Sequence, residues 1–375
     1  MEKICPKNIC TGCGLCESQC PTQCIEMRPE NLGHLYPYIN NEKCIDCGKC
    51  VRNCPAINPP SKFFPQKAYA AWSIDQEDYK TSTSGGVASV LSSYFIHNGG
   101  VVFGCSCLPN AIIKHIKVDK KEELHRLKGS KYVQSDISEA LRLLPSEAKT
   151  GRLVLFIGTP CQVASVRNLF RKIPENLFLV DLICHGVPSQ DYLRQHIKSI
   201  LGRTDIDKIV FREQTGDYVV DIQENRKSIY KQSLRSPRYK DNYINAFFDG
   251  FTMRKSCHTC QYAKPDRTSD ITIGDFWGLG SQGNYSLPSH PYGISLILPI
   301  TEKGLSLIEA VKGQLNIFER PIEEAINGNE QLRRPKDGGI RQKIFDRMEP
   351  FMGINKAYRF AVLDRIIRYK LNLLK

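Results

Sequence analysis

A chain of 375 residues, 41% hydrophobic and 24% charged, is long enough for two or three globular domains, and it contains no apolar run of about 18 residues to cross a bilayer. The start, MEKICPKN, lacks the apolar stretch of a signal peptide, so a reducing, cytoplasmic setting is expected, and there 16 cysteines read as metal ligands or redox groups rather than disulfides. The formal charge of +13 suggests a polyanionic partner, but it counts every thiol as neutral, and a thiolate on iron is anionic.

Residues 1–58 hold ten of the cysteines. Cys10, Cys13, Cys16 and Cys20 stand at C-x2-C-x2-C-x3-C with Pro21 next, and Cys44, Cys47, Cys50 and Cys54 repeat the block with Pro55 next. This is the bacterial pattern for two 4Fe-4S clusters, in which the fourth cysteine of each run ligates the other cluster. One cluster is therefore expected on Cys10, Cys13, Cys16 and Cys54, the other on Cys44, Cys47, Cys50 and Cys20. Gly12, Gly14 and Gly48 let the backbone turn close to the sulfides. Structural zinc prefers paired C-x2-4-C ligands and does not suit three evenly spaced cysteines duplicated in this way. Cys5 and Cys24 fall outside both runs and are read as bystanders.

Asn58 to Pro65 (NPPSKFFP) reads as a stiff extended linker. Beyond it the pattern is mixed α/β. Residues 68–73 suit a strand, and the loop Thr81–Gly86 opens a helix carrying Val87, Val90, Leu91, Tyr94 and Phe95 on one face. Strands follow at 101–107 and 112–118, then a helix over 121–128 that ends at Gly129. Residues 152–158 and 177–184 read as buried strands, each followed by a helix (to about 171, and over 189–200), which predicts a parallel sheet. Antiparallel strands are expected over 206–232, and buried strands at 270–277 and 293–300.

Four more cysteines lie in this region. Cys161 and Cys184 stand at the carboxyl ends of two predicted parallel strands, where open α/β sheets bind ligands. Cys257 and Cys260 form C-x2-C and would complete a four-sulfur site. Spacing alone leaves two alternatives open: Cys161 as a nucleophile with His185 as its base, or a zinc knuckle at Cys257, His258 and Cys260. Cys105 and Cys107 form C-x-C on one strand face and read as buried or incidental. With three clusters of about −2 each, the net charge falls to about +7. No aromatic–basic interleaving of the base-stacking kind is present, so no nucleic acid is expected.

Gly278–Gly283 matches G-x-G-x-x-G, but Ser286–Tyr292 holds two prolines and no helix pattern, which the dinucleotide fingerprint requires. The tail from about 335 is basic. Ile344, Phe345, Met348, Phe351 and Met352, then Phe360, Val362, Leu363 and Ile366, form apolar stripes. They suit a helix packed on its own domain, or one lying on a membrane surface or partner.

Thr83-Ser84-Gly85-Gly86, Gly158-Thr159-Pro160-Cys161-Gln162, the DLICHGVPS run from Asp181 to Ser189, Cys257-x2-Cys260 and the DITIGDFWG run from Asp270 to Gly278 occur in this order. Together they resemble the coenzyme F-420 hydrogenase/dehydrogenase beta-subunit family over roughly residues 68–320. The resemblance implies an α/β fold (α+β overall) with a ferredoxin-like domain at 1–58 and a linker at 59–67. It further implies a flavin-binding core in two parts, 68–150 and 151–330, and a basic helical tail at 331–375. It implies an oxidoreductase with a third 4Fe-4S cluster on Cys161, Cys184, Cys257 and Cys260, beside a flavin, FAD rather than FMN. Residues expected at the flavin are Thr83, Ser84, Gly85, Gly86, Lys128, Ser130, Lys131, Tyr132 and Asp275. The hydroxyl-rich loop at a helix start suits a pyrophosphate, although plain N-capping fits it as well. His185 is a candidate proton donor, or a hydrogen-bond donor to a cluster sulfide. The expected partner is a redox protein or a small-molecule electron donor or acceptor, with coenzyme F-420 one candidate. The alternative is a flavin-free ferredoxin-like adaptor with no substrate of its own.

Overall fold

The structure is a computed structural model, and it describes residues 4–213, 216–235, 239–282 and 286–371. The first part is a small module of two one-turn helices, α1 (Leu15–Ser18) and α2 (Lys49–Arg52), flanking the hairpin β1 (Ile25–Pro29) and β2 (Leu35–Ile39), which pairs Ile25 with Ile39. Both helices begin after a left-handed glycine inside a cysteine run, Gly14 at φ 74° and Gly48 at φ 68°. A side chain is strained at that φ, so glycine there lets each run reverse direction tightly.

The core contains β3 (Ala68–Ser73), α3 (Gln76–Lys80), α4 (Val87–His97), β4 (Val101–Leu108), β5 (Ile112–Val118), α5 (Ser138–Lys149), β6 (Val154–Gly158), α6 (Pro160–Leu169) and β7 (Leu177–Leu182). Next come α7 (Gln190–Leu201), β8 (Lys208–Arg212), β9 (Tyr218–Glu224), β10 (Lys227–Ser233), α8 (Asn242–Asp249), β11 (Ile271–Asp275), β12 (Ser295–Pro299) and α9 (Glu302–Val311). The chain closes with β13 (Leu315–Arg320), α10 (Ile322–Gly328), α11 (Gly339–Ala361) and α12 (Leu363–Lys370).

Eight strands form one sheet in the order β13-β3-β12-β11-β7-β6-β4-β5. Its centre, β11-β7-β6-β4, is parallel, and the pairs outside it are antiparallel. The parallel sheet expected from the strand–helix alternation is therefore the middle of a mixed sheet. At one end, β4 and β5 are joined by a connection too short for a crossover helix and so run antiparallel. Apolar side chains cover both faces. Val87, Val90, Leu91 and Phe95 of α4 with Leu307, Ile308 and Val311 of α9 pack on one, and Leu141, Leu144, Val163 and Val166 of α5 and α6 on the other. Residues 121–127 form a 3-10 helix rather than the expected α-helix.

A separate antiparallel sheet, β10-β9-β8, shares a third core with α7, α8 and the tail. The tail's apolar stripe is divided. Phe345, Tyr358, Val362 and Ile366 are buried in that core and Met348 and Met352 pack against it, while Ile344, Phe351, Phe360 and Leu363 are exposed. α11 breaks at Gly353, where φ is 75° and ψ 165°. Among the described residues no helix is long and apolar enough to cross a membrane.

The cysteine module is not tethered by the linker alone. Phe63 and Arg267 exchange both backbone hydrogen bonds at 2.9 Å. Leu15, 1% exposed between Cys13 and Cys16, inserts into the core under α5 and α6. Leu15→Ala removes that anchor at an expected cost of about 2–5 kcal/mol. Limited proteolysis should then cut within residues 59–62 faster than in the parent chain, with the core fragment left intact.

Candidate iron–sulfur and cofactor site

The two cysteine runs interleave in space. Cys13 and Cys16 lie within electrostatic reach of Cys10 and Cys54, and Cys50 within reach of Cys47 and Cys20. Cys20, Cys44, Cys47 and Cys50 line one small cavity together with Cys24, Ile25, Ile39 and Ile45. The fourth cysteine of each run thus faces the first three of the other run. Burial pushes the Cys13 thiol up to about 11. Cys10 is instead brought down to about 6, chiefly by a hydrogen bond from Cys5 and further by Arg254.

Arg254 is 1% exposed. Its guanidinium donates to the carbonyls of Cys10 (3.1 Å) and Leu35 and to Gln134 (3.3 Å), and it lies 4.5 Å from the centre of the Tyr36 ring. Gln134 also donates to the carbonyls of Thr11 (3.1 Å) and Gly12 (3.2 Å). A Cβ on Gly12 would overlap the Arg254 guanidinium, so the module's first loop can seat on this arginine only with glycine there.

The second cysteine set gathers at the carboxyl ends of β6 and β7. Thr159 caps α6 in a reciprocal box with Gln162, placing Cys161 in the first turn, with Thr159 Oγ1 3.3 Å from its Sγ. Cys184 lies two residues beyond β7 and accepts from the Gly186 N–H at 3.4 Å. Cys257 and Cys260 lie beside both: Cys161 is within reach of Cys184 and Cys260, and Cys257 of Cys260 and Cys161. Burial pushes Cys184 and Cys257 each up to about 12 and raises Cys161 still further. Both a nucleophilic and a metal-ligating cysteine need the thiolate. Among the described residues, no group of three or more His, Cys, Asp or Glu is drawn tightly enough together to hold a single metal ion.

Two motif aspartates act as braces. Asp181, fully buried, accepts from Arg267 (2.9 Å) and Thr272 (2.6 Å), and Arg267 also donates to the carbonyls of Tyr262 and Leu182, so one cation ties the end of β7 to the C-x2-C loop. Asp270 accepts from the Leu179 N–H (2.8 Å) and from Thr301 (2.9 Å). Tyr262 connects the two sulfur regions. Its hydroxyl donates to the Pro55 carbonyl at 2.8 Å, and the thiols of Cys161, Cys13, Cys260 and Cys54 surround it.

On the other side of Cys161 and Cys184 lies a cavity of about 330 Å³, within the range of small-molecule and cofactor sites. Its wall includes Thr83, Ser84, Gly86, Lys128, Ser130, Lys131, Tyr132, His185 and Asp275. Gly85 is not in the wall: a Cβ there would run into the Ala71 carbonyl, so it serves the packing of the loop on the sheet. The N-capping alternative for this loop does not hold, because Gly86 occupies the cap of α4 and no side chain bonds the first turn. Thr83 and Ser130 hydroxyls meet at 3.3 Å, while Ser84 donates to the Ile294 carbonyl.

The cations are engaged within the protein. Lys128 pairs with Asp78 at 2.6 Å, and Lys131 donates to the carbonyls of Cys105, Leu127 and Lys128. Tyr132 stacks on Phe247 with centroids 5.1 Å apart. Asp275 pairs with Arg212 at 2.6 Å, and the buried Arg212 Nε, also in the wall, has no hydrogen-bond partner. Arg212, Tyr262 and Arg254 had no motif in the sequence; each acts through a contact distant along the chain. His185 is shared with a second cavity lined by Phe247, Phe248, Met253, Trp277, Glu330 and Lys336. Burial lowers its pKa, so the neutral imidazole is favoured. Cys105 lies in the main cavity wall, and burial raises both its thiol and that of Cys107. Of the glycine-rich run at 278–283, Gly283 lies outside the described residues, and Ser286–His290 form no helix.

The sulfur arrangement and the α/β core define an iron–sulfur electron-transfer protein. Residues 151–325 match the C-terminal region of the "Coenzyme F420 hydrogenase/dehydrogenase, beta subunit" family, and residues 9–57 match "4Fe-4S dicluster domain". The chain therefore joins a segment that matches a 4Fe-4S dicluster domain to one that matches the C-terminal region of the coenzyme F420 hydrogenase/dehydrogenase beta subunit. It is 24% identical over 387 aligned positions to the coenzyme F420-dependent sulfite reductase of Methanocaldococcus jannaschii, covering 93% of this chain and 52% of that protein. The chain thus spans about half the length of that relative. An uncharacterised protein of the same organism is 23% identical over 324 positions, covering 76% of this chain and 84% of that one. A chain of the F420-reducing [NiFe] hydrogenase complex from Methanosarcina barkeri superposes with a TM-score of 0.47 at 20% identity, over 78% of this chain and 95% of that one.

The interface between module and core carries a pH dependence. His34, 2% exposed, has a ring nitrogen 3.3 Å from the Thr252 carbonyl, and its pKa is lowered from 6.5 to about 3 by burial and then by Arg254. With the folded pKa depressed, the neutral ring is the stabilising form. Its contribution is complete above pH 6.5 and is lost as the pH falls toward 3. At 1.36 kcal/mol per pH unit the loss reaches about 2 kcal/mol at pH 5. Proteolysis of the linker should accelerate between pH 6.5 and pH 5, and His34→Gln should flatten that dependence.

Proposed function

We propose that this chain is a flavin- and 4Fe-4S-dependent oxidoreductase that exchanges electron pairs with a small reduced substrate and single electrons with a redox partner. The observation that carries the reading is the position of Cys161, Cys184, Cys257 and Cys260. They lie between the cavity of about 330 Å³ and the Cys13 edge of the ferredoxin module. The proposed clusters are held by Cys10, Cys13, Cys16 and Cys54; by Cys20, Cys44, Cys47 and Cys50; and by the core quartet. The reading is supported by free thiols near one another: Cys16 by Cys10, Cys13 and Cys54, Cys50 by Cys20 and Cys47, and Cys161 by Cys184 and Cys260. The proposed flavin, FAD, lies in the cavity. A flavin supplies the exchange between hydride and single electrons that iron–sulfur clusters cannot perform.

The chain's residues have definable parts in this scheme. The uncapped start of α4 at Gly86 and the Thr83 and Ser130 hydroxyls suit a pyrophosphate. The Arg212 Nε offers an unpaired donor, and Tyr132, backed by Phe247, closes the apolar side. His185, at the boundary of the two cavities, is placed to hold a proton at an imidazole nitrogen facing a substrate in the smaller one. Tyr262 and Leu15 exclude water between the core quartet and the module. Coenzyme F420, named for the sulfite reductase relative, is the first substrate to test.

Anaerobic purification with iron, sulfide and flavin quantified per chain tests the whole reading. About 12 irons and one FAD are expected, from four irons per cluster. About eight irons with zinc would remove the core cluster, and a full iron load without flavin would leave an electron-transfer adaptor. Two substitutions separate the parts. Cys161→Ser should lower iron by about four per chain and leave the dicluster signals in place. Gly85→Ala should displace the loop from the Ala71 carbonyl and weaken flavin retention by about tenfold, about 1.4 kcal/mol, with iron unchanged. With these in hand, reduced F420, NAD(P)H and reduced ferredoxin can be compared as donors.

A further inference from the structure

The two cysteines of the module that fall outside its repeated runs occupy matching positions. Cys24 Sγ lies 3.4 Å from Cys20 Sγ and packs against Cys44 as well. Cys5 packs against Cys10 and Cys54. Each extra thiol therefore contacts two cysteines of one proposed cluster: the first of one run and the fourth of the other. Both are buried, Cys5 at 8% and Cys24 at 5% exposure, beside Tyr36 and beside Ile4 and Ile25 respectively. The Cys20–Cys24 separation of 3.4 Å is far from a disulfide bond of about 2.05 Å.

This pairing is not a by-product of the internal repeat. Cys5 precedes its run and Cys24 follows it, and the residues at the corresponding places around the second run are Ile39 and Asn58. Two unrelated chain positions bring one thiol to each cluster at the same pair of ligands. A buried thiol in contact with a ligand sulfur has one proton to donate. Hydrogen bonds to cluster sulfurs are among the determinants of reduction potential. A donor favours the reduced cluster, which carries one more negative charge, so its presence raises the potential.

We propose that Cys5 and Cys24 are positioning residues: each is a thiol donor that raises the reduction potential of the one cluster whose ligand sulfurs it contacts. The inference rests on the cluster assignment above. Cys24 also gives its backbone N–H to Cys20 Sγ at 3.3 Å, so a side-chain substitution leaves that second donor in place and isolates the thiol.

The test is a potentiometric titration followed by electron paramagnetic resonance. The full chain, loaded anaerobically, is compared with Cys24→Ala, Cys24→Ser, Cys5→Ala and Cys5→Ser, with iron counted in each. The expected result is an unchanged iron content and, in each alanine variant, a lower potential for one couple only. The shift should be about tenfold in the oxidised-to-reduced ratio at fixed potential, or 59 mV for one electron. Cys5→Ala and Cys24→Ala should move different couples, and the serine variants, which keep a donor, should restore much of each shift. Unmoved couples at full iron content overturn this inference alone. Loss of about four irons in an alanine variant also overturns it, because the thiol is then a ligand or a structural support. A parent chain that binds no clusters takes down both the assignment and the inference.

Discussion

Burying anionic sulfur in a low-dielectric interior is the constraint on which the rest of this structure depends. A 4Fe-4S centre with its thiolates carries about −2, and such charge can be buried only beside cations and inward-facing N–H groups. Arg254 meets that need at the dicluster module, while Arg267 at the second sulfur region is paired with Asp181. Arg254 is 1% exposed against the Cys10 carbonyl, and Arg267 is 2% exposed between Asp181 and the Cys260 loop. Both also hold separate chain segments together, and Arg254 joins the module to the core.

The parallel centre of the sheet explains why the core cysteines converge. β6 and β7 run side by side with Gly158 opposite Asp181, so the residues after each strand emerge at the same edge. Cys161 and Cys184 arrive there from different strands, and β11 brings Asp275 to the same edge beside β7. The outer strand β3 ends at this edge as well and leads through α3 to Thr83 and Ser84 of the cavity wall. The cavity forms where α4, the loop after the 3-10 helix and the β8–β9 sheet face this edge.

Much of this was legible in the residues. The duplicated cysteine spacing states its chemistry locally, because three ligands two residues apart can be satisfied only within one tight loop. The apolar runs at 152–158 and 177–184 announced buried strands, and the hydroxyl–glycine loop announced a helix start. Other parts were misjudged for definable reasons. The 121–127 segment has helical composition but only a 3-10 turn, since tertiary packing outweighs propensity over so short a stretch. The tail's apolar stripes divide between core and surface on both sides of the break at Gly353, with Phe345 and Ile366 buried and Phe351 and Leu363 exposed. Cys5 and Cys24 passed as bystanders because they lie outside the spacing, although each contacts two cysteines of the runs.

Sequence alone determined the chemistry of the sulfur and the order of the elements, because ligand spacing and apolar periodicity act over a few residues. Only the tertiary structure decided which segments face one another: Arg254 reaching back 244 positions to Cys10, Tyr262 reaching 207 to Pro55, and Arg212 meeting Asp275 across two sheets. Such contacts arise from packing a module against a core, and no local pattern encodes a distance that exists only after the chain has closed on itself.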